Sequence, residues 1–90
     1  LPATAHQLTS MIPYRVATMR WAIEVVAVAE QDGVVMSQGV IDLMPPQVKI
    51  AMWARSLRDR VTGQQIMDRW GINRSTAYRY AQVINEGAQP

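Results

Sequence analysis

The chain has 90 residues, 49% of them apolar, and a formal net charge of +2. That length allows one domain, while the longest apolar run falls far short of the roughly 20 residues a membrane span needs. With no cysteine and only His6 as histidine, disulfides, thiolate metal sites and a histidine-based triad have no means of assembly.

No charged start followed by an apolar middle opens the chain, so no signal peptide is expected. The expectation is a cytoplasmic, all-α protein of four to five helices that uses no cofactor and no membrane. Residues 1–12 show no clear periodicity and read as a flexible tail, although Leu8, Met11 and Ile12 are apolar enough to dock. Residues 13–90 read as one helical domain.

Pro13 suits the first turn of a helix, where its missing N–H costs nothing. From there to about Gln31, Val16, Met19, Ile23 and Val26 recur at spacings of one helical face. Gly33 is placed to end that helix in a left-handed cap. A hairpin is the competing reading, because Val25 to Val28 is β-branched and Asp32-Gly33 is a turn dipeptide. The doublets Val25–Val26 and Val34–Val35 break strand alternation, which favours the helix. A second apolar stripe, Trp21, Val25 and Val28, runs along it. A helix apolar on two sides is either central to its domain or pressed against another molecule. These three residues are therefore candidate contacts of a homodimer, and residues 13–44 a candidate dimerisation part.

Ser37 is a plausible cap for a short helix reaching Met44. Pro45-Pro46 breaks the chain and restarts it, after which Ile50, Trp53, Ala54, Leu57 and Val61 follow helical spacing. Thr62 with Gln65 three places on forms a Thr-x-x-Gln capping box for the next helix. In it Ile66, Met67 and Trp70 point inward and Gln64, Asp68 and Arg69 outward. Gly71 adopts positive φ without steric cost, Ile72 plugs the turn, and Asn73 caps a last helix over 74–84. Ala77, Tyr80 or Ala81, and Ile84 form its buried stripe. Arg74, Ser75, Tyr78, Arg79 and Gln82 remain outside, with Thr76 on the margin.

Charge is divided unevenly along this plan. Residues 1–45 hold two arginines against four carboxylates, and residues 46–90 hold seven basic groups against three acids. The positive excess thus lies with the two-helix motif, as a phosphate footprint requires. Small hydroxyls and arginines at the start of an exposed helix suit a major groove. Arg74 and Ser75 would lie deepest, with Arg79 reaching a base or flanking phosphate. Tyr78 would meet a phosphate or a thymine methyl, and Gln64, at a helix N-terminus, the backbone.

The stretch GQQIMDRWGINRSTAYRYAQVI resembles the helix-turn-helix of bacterial and phage DNA-binding proteins. It is especially similar to the DNA-binding end of serine resolvases and invertases. That pattern runs from a small residue through a glycine four places on to an apolar residue six further, here Met67, Gly71 and Ala77. Met67 departs from the usual alanine, which implies slightly more open packing of the two helices. The likeness spans roughly residues 46–85 and makes residues 45–85 a tri-helical DNA-binding part. It implies that Arg74, Ser75, Tyr78 and Arg79 face DNA. The remaining length holds no recombinase catalytic domain, so that activity does not carry over.

The candidate DNA-binding set is therefore Gln64, Arg69, Asn73, Arg74, Ser75, Thr76, Tyr78 and Arg79. Asp59 and Asp68 read as a solvated face rather than a catalytic pair. Trp21, Trp53 and Trp70 read as core, with a stacking platform for single strands as the lesser alternative. No catalytic residue is assigned and no enzyme is expected. The reading is a sequence-specific duplex DNA binder, a small bacterial or phage regulator of transcription. A protein-docking module and a DNA-packaging or replication adaptor are the alternatives.

Overall fold

The computed structural model describes the backbone of residues 5–87 and the side chains of residues 16–86. Five helices follow in order: α1 (Ala5–Gln31), α2 (Gln38–Asp42), α3 (Pro46–Leu57), α4 (Gly63–Trp70) and α5 (Arg74–Gly87). No strand occurs among the described residues, so the chain is a small all-α domain. The helix expected to reach about Gln31 does end there, and no hairpin forms around Asp32-Gly33. No helix among the described residues is long and apolar enough to cross a membrane.

Helix α1 starts at Ala5, eight residues before the expected start at Pro13. Residues 5–12 are therefore helical rather than tail-like, and residues 1–4 lie outside the described residues, as do the side chains of Leu8, Met11 and Ile12. Pro13 sits inside the helix, where it removes one i→i−4 bond. At the other end, Gly33 has φ 70°. Its N–H donates to Glu30 O at 3.1 Å and that of Val34 to Ala29 O at 2.9 Å. These are the two bonds of a Schellman cap, which satisfies carbonyls the helix would leave open.

The core lies where α1, α3 and α5 meet, closed at one end by α4. Helix α1 contributes Met19, Ala22 and Val26, with Val16 and Ile23 at the edges of the stripe. Helix α3 contributes Val48, Ile50, Ala51 and Ala54, its two alanines keeping its inner face slim. Tyr80, Ala81 and Val83 come from α5, and Ile66 from α4. Tyr80 buries its ring while its hydroxyl oxygen accepts from Gln47 Nε2 at 3.2 Å, the usual accommodation of an amphipathic ring. Trp53 and Trp70 pack edge to face, centroids 6.1 Å apart. Trp21, expected in the core, is half-exposed instead, because it falls on the far side of α1 from the buried Met19 and Val26.

Two ion pairs tie α1 to its neighbours. Arg55 grips Glu30 with a fork, Nε and Nη2 donating at 2.6–2.9 Å, and Arg20 meets Glu86 at 3.3 Å. The Arg55 hydrogen bonds hold the Glu30 carboxyl below its ordinary value. A depressed folded-state value means the pair supports the fold above the unfolded carboxylate value, and this support is lost as pH falls from there through the lower folded-state value. Both side chains are about half-exposed, so solvent keeps that contribution small.

Loop 58–62 is held by a side chain that the helical pattern alone does not reveal. Asn85, near the end of α5, accepts from Val61 N at 2.9 Å and donates to Val61 O at 2.8 Å. The capping box that follows is complete: Thr62 Oγ1 accepts from Gln65 N at 3.0 Å and Gln65 Oε1 from Thr62 N at 2.8 Å. Thr62→Ala is expected to destabilise the domain by about 1 kcal/mol. In urea this would appear as a lower midpoint with an unchanged slope; an unmoved midpoint would show that the box adds nothing.

Candidate nucleic-acid interface

Helices α4 and α5 form a two-helix unit around an elbow at Gly71. Gly71 ends α4 at φ 66°, its N–H donating to Met67 O at 2.9 Å. A residue with a Cβ would be strained there. Two residues on, Asn73 Oδ1 accepts from Thr76 N at 3.0 Å and from Ser75 Oγ at 3.1 Å, which caps α5. Ile72 between them packs against the core. Ala77 is fully buried, which lets the two helices approach closely beside the turn.

The exposed face of α5 carries Arg74, Ser75, Tyr78, Arg79 and Gln82. Neither Arg74 nor Arg79 has a carboxylate partner among the described residues. The Arg74 guanidinium lies 5.1 Å from the centre of the Tyr78 ring, a cation–π distance. The first acid along α5 is Glu86, already occupied by Arg20. The first three turns of the helix therefore present positive charge only.

One of the candidates must be withdrawn. Thr76 is 4% exposed, because it falls on the flank of α5 that turns towards the core beside Ala77 and Tyr80. It has no access to a nucleic acid. Asn73 is exposed, but its side-chain oxygen is committed to the cap. Ser75 is exposed while its hydroxyl donates to that same oxygen, leaving its lone pairs outward.

Helix α4 supplies the remaining candidates at separate points. Gln64 stands in its first turn, with Nε2 on Asp68 Oδ1 at 2.8 Å. Arg69, five residues on and so roughly 140° round the helix, lies over the Trp70 ring at 4.5 Å. The two do not share a face.

Helical spacing gives no hint of the contact between Gly63 and Tyr78. A Cβ built on Gly63 would come within 2.6 Å of the Tyr78 ring. The ring thus rests on the start of α4 and forms a strut between the two helices, with Arg74 stacked on it. The signal in the sequence was faint: glycine is a poor choice at the first position of a helix, unless something must come close.

A separate hollow lies away from α5. It measures about 1090 Å³ and is lined in part by Ile23, Arg55, Arg58, Arg60 and Ile84. Among the described residues no group of three or more His, Cys, Asp or Glu gathers where a metal ion would bind.

These elements define a small all-α domain with an arginine-bearing helix held on a glycine elbow. No protein-family model matches the chain, and no curated protein or solved structure is detectably similar to it.

Proposed function

We propose that this chain binds double-stranded DNA sequence-specifically, with α5 in the major groove. Its role would be that of a small homodimeric regulator of transcription in the cytoplasm of a bacterium or of a phage's host. The observation that supports this best is the outward face of α5, where Arg74 and Arg79 pair with no carboxylate among the described residues. An arginine fork left unpaired on a helix surface is matched to guanine edges and phosphate oxygens.

In this reading Arg74 and Ser75, in the first turn, lie deepest and meet base edges. Arg79, further along the same face, takes a base or a flanking phosphate. Gln64 sits at the positive end of α4, which favours a phosphate, and Arg69 takes a phosphate further out. Tyr78 serves chiefly as the platform under Arg74. A homodimer joined through Trp21, Val25 and Val28 on α1 would present two copies of α5 to half-sites one helical turn apart.

The test is fluorescence anisotropy with a selected duplex across a salt series. Three or four phosphate contacts predict a slope of about −3 in log affinity against log salt, at roughly −0.9 per phosphate. Binding that ignores salt, or no binding to any selected duplex, would turn the reading towards a protein-docking module.

A further inference from the structure

Segment 34–43 follows the Gly33 elbow and adds no residue to the core. Helix α2 within it has no buried residue. Val35 is 93% and Leu43 86% exposed, and Val40 is exposed too. Beside this arm, the outer side of α1 leaves Trp21, Val25 and Val28 between 37% and 55% exposed. With Val34 these three line a shallow hollow of about 420 Å³, edged by Glu24 and Asp32. Two apolar surfaces thus adjoin on one chain, and none of the described residues covers either. Soluble monomers rarely leave so much contiguous apolar surface open.

Resting on the homodimer proposed above, we infer that a second copy of this chain covers both surfaces by exchange of arms. The arm Val35–Leu43 of each protomer lies in the Trp21–Val25–Val28 hollow of its partner. Three arguments select a second copy as occupant. A two-fold axis brings arm to hollow twice with one set of contacts, the self-complementarity that an isologous interface demands. The dimensions allow it: the three residues 35–37, the five-residue helix α2 and Leu43 reach at most about 20 Å, enough to cover the roughly 10 Å of α1 from Trp21 to Val28. The area agrees as well. Seven large apolar side chains per protomer, with their polar rim, approach the roughly 800 Å² per partner of a standard interface. The arm's one charge, Asp42, already accepts from Gln38 Nε2 at 2.8 Å, so its apolar side brings no bare carboxylate into the hollow.

Sedimentation equilibrium without DNA tests this on the full chain. The parent is expected at about 20 kDa, twice its 10.1 kDa mass. Val28→Asp, in the hollow, and Leu43→Glu, on the arm, are each expected to weaken the dimer at least ~30-fold, the level of a hot-spot residue. Both residues are exposed in the single chain, so circular dichroism should be unchanged. A parent that stays at 10 kDa (at about 100 μM) overturns the homodimer itself. A dimer that Val28→Asp breaks and Leu43→Glu leaves intact keeps the homodimer and overturns the exchanged arm. The chain has no native cysteine, so a second readout is clean. Val25→Cys and Leu43→Cys chains, mixed and treated with a short bismaleimide, should cross-link to each other faster than either does to itself. Equal rates in all three samples would also overturn the exchange.

Discussion

Arg74→Ala and Arg79→Ala are each expected to weaken binding to a selected duplex by about 1–3 kcal/mol, the worth of a good bidentate contact. The fold should be untouched. Both side chains are exposed and neither has an ion-pair partner among the described residues. Alanine is also the stronger helix former, so helical content should hold in both. The urea midpoint should hold in Arg79→Ala and in Arg74→Ala fall by no more than the equivalent of the roughly 0.5–1 kcal/mol of the cation–π contact with Tyr78. The lysine variants separate two kinds of contact. Lysine keeps the charge but loses the planar fork. If Arg79 meets a phosphate, Arg79→Lys should bind nearly as well as the parent with a similar salt slope. If it reads a base, Arg79→Lys should lose most of what Arg79→Ala loses and relax the preference at one position. Parental affinity in both alanine variants would remove α5 as the DNA-reading element.

The parts of this fold that sequence makes legible are set by neighbours along the chain. The Thr62–Gln65 box, the Gly71 elbow, the Asn73 cap and the Gly33 cap each depend on groups within five residues of one another. Local stereochemistry is enough to find them. Long-range features resist that reading. The clasp of Asn85 on Val61 joins positions 24 apart, and the Tyr78 ring meets Gly63 across fifteen residues. Burial at stripe margins is also hard to read, because a small rotation of a helix moves a residue across the boundary. Thr76 lies inside by such a rotation, and Val83 is buried in the core beside Ile84, which packs against it partly buried. Leu57 kept its helical spacing yet stayed exposed, since α3 ends there and Arg58 turns the backbone at φ 56°. The same holds for α1: a proline that favours starting a helix did not start this one.

Gly63→Ala is the sharper probe of how the strut works, because two opposing terms can be separated. Alanine in place of glycine in a helix favours folding by about 1 kcal/mol. Against that, the added Cβ would sit 2.6 Å from the Cγ and Cδ2 atoms of Tyr78. Those atoms lie near the root of the side chain, so the whole ring must swing out. That forfeits its contact with α4 and the stacking of Arg74. Overpacking of this kind destabilises by about 1–3 kcal/mol, so Gly63→Ala is expected to lower stability overall. In a Tyr78→Ala background the obstruction is gone, and the same substitution should stabilise. The change of sign is the signature, read as a coupling above ~1 kcal/mol in a double-mutant cycle of urea midpoints. Gly63→Ala should also loosen duplex binding, since Arg74 loses its platform, whereas Tyr78→Phe should keep both stability and affinity because the ring carries the contact. Should Gly63→Ala stabilise the parent as much as it does the Tyr78→Ala chain, the ring does not rest on α4 in solution. Arg74 would then owe its orientation to helix geometry alone.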